Sequence, residues 1–473
     1  MKYYSHRKPG LSNECLNRFK NDSNLNDAAK RAFPILQKLN SKKINDKPMQ
    51  NSILNFYSKE AVVPYTPISA QGPWMITNKG TIVFDVGGYG MLGFGHNPEW
   101  ALKTLAKPHV MANVITPSEI HNDFTDLLKN SIGINRIDKK CPYSHFAFLN
   151  SGSEGMEFAM RLTDINKNKK DKPLACLVLE DGFHGRTYSA SILSDSSNKT
   201  YKQHLKSYNK NSDKSIFTVK VNDTHDLHSK YLTLKNIYDI EAVVMEPVMG
   251  EGNPGEMLDP SFYRMARTLT KKYDSNFIID SVQAGIRTNG YLSVVDYPSL
   301  CNEEPPDIEV FSKAVNAGHY PLSVIAVSNN ISENFKTGIY GNTMSGNPKA
   351  LEIASETLKR LTPDLINHIQ TQGVRFKIML ESLKKQFPYI IDNVSGQGLL
   401  LALHIKEIYP VVDEENGLEY LCRKNGLNVI HGGKNALRFT PYFEITDDEI
   451  KLIKRILSTV LEDYTNKSIR KIP

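Results

Sequence analysis

The chain has 473 residues, 40% of them hydrophobic, which allows one large domain with a smaller one, or two to three ordinary domains. The net charge of +7 comes from mixed signs without a clustered basic stripe, which argues against nucleic acid as a partner. No run of about 18 apolar residues occurs, so no membrane span is expected. The start, MKYYSHRKPGLSNECLNRF, lacks the apolar stretch of a secretory signal. Cys15, Cys141, Cys176, Cys301 and Cys422 are scattered, odd in number and in no CxxC pair. That pattern points to a reducing compartment, the cytoplasm being the simplest address, and away from disulfides or a metal site.

Residues 1 to about 60 are polar and are expected to wrap the surface. IVFD at 82–85 reads as a strand, followed by a Gly-rich loop containing Tyr89 and ending near Gly95. Short apolar or β-branched runs then recur: HFAFLN (145–150), LACLVLE (174–180), EAVVME (241–246), NFIIDSV (276–282) and SVIAVS (323–328). Amphipathic stretches such as 262–273 separate them. This alternation predicts an α/β fold with a mainly parallel sheet flanked by helices. The polar segments 164–172 and 194–215 read as solvated surface loops. Asn347 and Pro348 open a helix. Thr446 and Glu449 form a capping box, and Ile450, Ile453, Ile456, Leu457, Val460 and Leu461 give the last helix a buried stripe. The expected division is an N-terminal segment at 1–95, a large domain at 96–346 and a C-terminal α+β domain at 347–473, which the N-terminal segment completes.

Four motifs fall where strands are expected to end, the edge at which open α/β sheets bind ligands. Asn150-Ser151-Gly152-Ser153-Glu154 opens a helix with small residues and suits a phosphate. Gly182-Phe183-His184-Gly185-Arg186-Thr187 offers an aromatic face to a flat ring and a guanidinium to a carboxylate. Asp280-Ser281-Val282-Gln283 ends a buried strand with a carboxylate, which needs a partner such as a protonated pyridinium. Lys313 follows Ser312 between an apolar run and a Gly-containing loop and suits a Schiff base. Each motif alone has an ordinary explanation: an N-cap, a packed aromatic, a surface lysine. Together they supply what a pyridoxal-phosphate (PLP) enzyme needs from its protein.

From about residue 72 to 462 the sequence resembles the class III aminotransferases, the ornithine/4-aminobutyrate/acetylornithine group of fold type I PLP enzymes. The likeness rests on NSGSE at 150–154, FHGRT at 183–187, EPVMGEG at 246–252, DSVQAG at 280–285, SKAVNAGHYPL at 312–322, TMSGNP at 343–348 and RFTP at 438–441. It implies a seven-stranded-type sheet in the large domain. Lys313 then corresponds to the lysine that binds the cofactor and shuttles the proton, and Asp280 to the partner of the ring nitrogen. Ser151, Gly152 and Ser153 correspond to the phosphate cradle, Phe183, with His184 beside it, to the stacking aromatic, Val282 to the apolar contact under the ring, and Gln283 to the partner of the phenolic oxygen. Thr343 matches a threonine that reaches the phosphate of a neighbouring subunit, which implies a homodimer with shared active sites. Arg186 and Arg438 match positions that hold substrate carboxylates, so glutamate and 2-oxoglutarate form the expected pair. Glu251 matches the glutamate that covers the second arginine. Glu246 and Tyr89 are counted on the substrate side. The resemblance implies transamination between an amino acid or ω-amine and a keto acid. Relatives that are aminomutases or decarboxylases share the cofactor residues, and a non-catalytic PLP-binding protein is a third reading.

Three features depart from the family pattern. Ser281 stands where a Glu is usual. In Gly285-Ile286-Arg287-Thr288-Asn289-Gly290 an Ile replaces a Gly, and EGNPGEMLDP lacks a GGG-like start. They alter loops near the substrate and leave the cofactor residues intact; the amino donor stays open.

Overall fold

The structure, a computed structural model, describes residues 22–40, 54, 60–111, 116–165, 172–208 and 214–469. Cys15 and most of the polar stretches at 1–60 and 164–172 lie outside the described residues. The chain divides into two compact units, one of Met1–Glu99, Thr371–Ser395 and Leu401–Pro473, the other of Trp100–Gln370 and Gly396–Leu400. The divisions near 99 and 370 compare with expected boundaries at 95 and 346. The difference arises because the helix Pro348–Lys359 packs on the helix Glu119–Ser131 inside the second unit.

The second unit is built on a seven-stranded sheet. Its spatial order is His145–Leu149, Ser323–Val327, Ile308–Phe311, Asn276–Asp280, Asp239–Met245, Leu174–Leu179, Lys214–Val219. Only Ser323–Val327 runs against the rest. Asp239–Met245 and Asn276–Asp280 are buried at every position, the mark of strands covered on both faces, and this is why their centres, 242–245 and 277–279, read as unbroken apolar runs. Met156, Met160, Val178, Val244, Ile278, Val310 and Ile325 share one core cluster, each fully buried aliphatic chain contributing about 1.5–3 kcal/mol. Because six strands share a direction, their C-terminal ends meet along one edge. The residues after those ends include Ser151, Phe183, Glu246 and Lys313, with Asp280 closing its own strand.

The segment expected as a loop at 194–215 contains a helix, Asp195–His204, a 3-10 turn, Lys206–Tyr208, and the start of the edge strand Lys214–Val219. The helix buries none of its residues, so it carries no apolar period, and polar bonds fix its start instead.

In the first unit, Pro67–Gln71, Trp74–Thr77 and Ile82–Asp85 form an antiparallel meander, to which Leu427–Asn428 adds in parallel. A second sheet orders Ile391–Gln397, Leu400–Ile405, Ala436–Phe439 and Ile430–Gly432. The last helix, Asp447–Ile469, starts at a reciprocal cap: Thr446 N–H donates to Glu449 Oε2 at 2.8 Å, and Glu449 N–H to Thr446 Oγ1 at 3.3 Å. Its stripe from Ile450 to Leu461 is buried. Among the described residues, no helix is long and apolar enough to cross a membrane, and no group of His, Cys, Asp and Glu could hold a metal.

Candidate active site

At the end of His145–Leu149, Ser151 caps the helix Gly152–Ile165. Glu154 N–H donates to Ser151 Oγ at 3.2 Å, and Asn150 N–H donates to Glu154 Oε2 at 3.0 Å. The helix opens with the N–H groups of Gly152 and Ser153 at its positive end, where an anion is favoured. A Cβ on Gly152 would lie 2.8 and 2.9 Å from the Val282 methyls, so only glycine lets the helix approach the Asp280–Gln283 segment this closely. Ser153 Oγ accepts the Arg186 N–H at 3.0 Å, and its carbonyl accepts the Thr187 hydroxyl at 3.0 Å. Gly185, at φ +128°, sits against Ser153, where a Cβ would come 2.6 Å from Oγ. Three segments far apart in sequence are thus locked together.

Asp280 is 5% exposed. Its Oδ1 accepts Val282 N–H at 3.1 Å and its Oδ2 meets His184 Nδ1 at 2.9 Å. Burial pulls the His184 pKa down, but the hydrogen bond and charge of Asp280, with the charge of Glu246, reverse this and hold it above the ordinary imidazole value. Lys313 adopts a left-handed φ of +45°, uncommon for a side-chain-bearing residue and frequent where function imposes strain. Its Nζ donates to Gln283 Oε1. Gln283 Nε2 is buried with no hydrogen-bond partner, which leaves a donor for an oxygen of a bound group.

Glu246 braces the site from behind, accepting Phe183 N–H at 2.9 Å and Gly250 N–H at 2.9 Å. Burial pushes its carboxyl up; the charge of His184 opposes this and that of Asp280 adds to it. Gly250 presses on Gln283, and Gly252 on the carbonyl of Asp181, so the half-buried Glu251 between them lies beside the turn that carries Phe183. Arg186 is exposed, its guanidinium 5.4 Å from the centroid of the Phe183 ring. Thr343 is exposed on a turn held by its neighbour Asn342, whose Nδ2 donates to Glu154 Oε1 at 2.8 Å.

Tyr89 and Arg438 belong to the first unit. Tyr89 has φ +51° and donates its N–H to Gly87 O at 2.6 Å. Arg438 is fully buried on Ala436–Phe439. Their segments are joined there: Thr440 N–H donates to Val86 O at 2.7 Å and Gly90 N–H to Thr440 Oγ1 at 3.3 Å.

Sequence reasoning missed Ser194, Asn342 and Glu309. Ser194 Oγ accepts the His184 N–H at 2.8 Å and donates toward Gly185 O and Ala190 O. Nothing in the sequence around Ser194 or Asn342 marks them, whereas a carboxylate within the strand-like run IEVF was a usable signal of an unusual buried group.

A profile of the class III aminotransferases matches residues 56–461. The chain belongs to this family. This aminotransferase is therefore PLP-dependent and transfers an amino group from a donor to a keto-acid acceptor. It is 27% identical over 475 residues to a mitochondrial acetylornithine aminotransferase of Debaryomyces hansenii, covering 97% of this chain and 95% of that one. It is 26% identical over 413 residues to an acetylornithine aminotransferase of Lactococcus lactis, covering 86% and 100%. Among solved structures, the ornithine aminotransferase of Toxoplasma gondii superposes with a TM-score of 0.74 at 20% identity, covering 96% of this chain and 100% of the other. The acetylornithine aminotransferase of Elizabethkingia anophelis gives 0.70 at 22% identity, covering 92% and 99%. At such identities the structural likeness shows the shared fold, a large sheet domain of fold type I.

Proposed function

We propose that this aminotransferase holds PLP on Lys313 and moves the amino group of an ω-amine of the ornithine or N-acetylornithine class to 2-oxoglutarate. The observation that carries the reading is the convergence of Lys313, Gln283, Asp280 and His184 at one sheet edge, with Gln283 Nε2 buried and open to an acceptor. PLP fits that donor set and, when bound, supplies an electron sink that lets a C–H bond beside the amine ionise. Asp280, its charge supported by His184, keeps a proton on the ring nitrogen. Gln283 Nε2 donates to the phenolic oxygen. Val282 and Phe183 enclose the ring, and the N–H groups of Gly152 and Ser153, with the Ser151 hydroxyl, bind the phosphate. Once the donor amine takes its place on the cofactor, the freed Lys313 Nζ would be the group that takes the proton from the substrate carbon and returns it one position along. Arg186 and Arg438 are each assigned a substrate carboxylate. Thr343 completes the phosphate site of a partner subunit in a homodimer. The scattered cysteines support a reducing compartment, the cytoplasm being the simplest.

The donor class rests on the names of the relatives and on the two arginines. It is tested by supplying the PLP-loaded enzyme with 2-oxoglutarate and a panel of amines and measuring glutamate. Ornithine or N-acetylornithine should lead the panel. Arg438→Ala should weaken the use of 2-oxoglutarate about 10- to 100-fold, the worth of a charge-assisted pair. Unchanged kinetics in that variant, or donor turnover that needs no keto acid, would overturn the assignment.

A further inference from the structure

Glu309 is a fully buried carboxylate in the middle of the strand Ile308–Phe311. Every partner it has is a neutral donor. Its Oε1 accepts the Ser281 hydroxyl at 2.5 Å and Val294 N–H at 2.9 Å; its Oε2 accepts the Tyr143 hydroxyl at 2.6 Å and the Ser293 hydroxyl. Burial pushes the Glu309 carboxyl up to about 7 even though these donors pull it down. In its ionised form this group is acceptor-only, which suits a pocket where four donors point inward.

The segments it ties are the ones that frame the site. Ser281 directly follows Asp280, and its N–H donates to Val310 O at 2.9 Å. Ser293 and Val294 close the loop that Ser281, Val282 and Gln283 begin. Tyr143 leads into the strand that ends at the Ser151 cap, and Glu309 itself lies on the strand that runs on to Lys313. Ser281 is also the position where the family pattern has a glutamate.

We propose that Ser281 and Glu309 act as one positioning pair, in which a carboxylate supplied from the neighbouring strand does from position 309 what the glutamate of the family pattern does from 281, holding Asp280, Gln283 and Lys313 in register for PLP. The inference rests on the PLP reading above. The two side chains meet end to end, so exchanging them conserves their combined length and keeps one carboxylate in the pocket. Either single exchange does not: Ser281→Glu puts two carboxylates together, and Glu309→Ser leaves buried donors without an acceptor.

The test compares wild type, Ser281→Ala, Glu309→Gln, the two single exchanges and the double exchange. It reads the PLP dissociation constant from the visible band, the pH at which that band titrates, and the melting point of the apo protein. Ser281→Ala should bind PLP about tenfold more weakly, the scale of one hydrogen bond to a charged group. Each single exchange should lose more, and the double exchange should return to within about threefold of wild type, because residues in contact couple and their effects do not simply add. Folded Ser281→Ala and Glu309→Gln proteins with wild-type PLP affinity and an unmoved band would overturn the pair, leaving Glu309 a role in folding alone. So would a double exchange no better than the worse single. If the single exchanges do not fold, Ser281→Ala and Glu309→Gln decide. A wild type that forms no band with PLP would overturn the functional reading and this inference together.

Discussion

Asp280 keeps a carboxylate inside the protein because two groups reach it from different directions. Val282 N–H comes from its own turn, and His184 comes from the turn that follows the strand two places away in the sheet. Replacing His184 by Phe strands a buried charge, and the apo protein should lose about 3 kcal/mol in urea denaturation, the lower end for breaking such a pair. His184→Gln, which keeps a donor, should lose less. The pH dependence has a definite sign. A histidine whose folded pKa is raised contributes stability that is full below its unfolded value, about 6.5, and is lost as pH rises through the higher folded value. The gap between wild type and His184→Phe should therefore narrow as pH rises through that window. A gap that widened would contradict the charged pairing.

Among the elements, the turn Asp181–Gly185 shows how a site is supported by residues that never touch it. Asp195 Oδ2 accepts Asp181 N–H at 2.9 Å, the Ser196 hydroxyl donates to Gly182 O at 3.1 Å, and Ser194 holds His184 and Gly185. Ser194→Ala leaves the buried His184 N–H without that acceptor and should cost about 1–3 kcal/mol, read as a lower apo melting point with retained secondary structure. Gly152→Ala pushes a methyl into Val282 and should cost about 1–3 kcal/mol of overpacking while weakening PLP binding; unchanged affinity would mean the helix start and Val282 are free to move apart. The same elements show what the sequence could reveal. Strands such as Asp239–Met245 were legible because burial on both faces leaves an unbroken apolar run, Ala242 to Met245, within them. The helix Asp195–His204 was not, because it buries nothing. That the motifs gather at one sheet edge was legible, since each follows a strand-like run in the sequence. Ser194 and Asn342 were not, because Ser194 bonds the backbone of a turn with no fixed sequence spacing and Asn342 bonds Glu154, far away in sequence. Ile286 occupies a left-handed φ of +66° while fully buried, so the backbone there is one that glycine adopts freely even though the residue is Ile.

For the whole molecule, the proposed homodimer makes a prediction no single chain can satisfy. If Thr343 completes the partner's site, mixing subunits carrying Lys313→Ala with subunits carrying Thr343→Ala produces mixed dimers with one fully intact site. After denaturation and refolding together in equal amounts, statistical pairing should give about a quarter of wild-type activity, above the mean of the two parents. No gain on mixing would argue for sites built from one chain.

The proposed chemistry depends first on Lys313 carrying the cofactor. Reducing the PLP-loaded wild type with borohydride, digesting it and locating the added mass by mass spectrometry tests it directly. A pyridoxyl label should appear on the peptide containing Lys313, and neither label nor visible band in Lys313→Ala. A label on another lysine, or a Lys313→Ala protein that keeps the band, would contradict it.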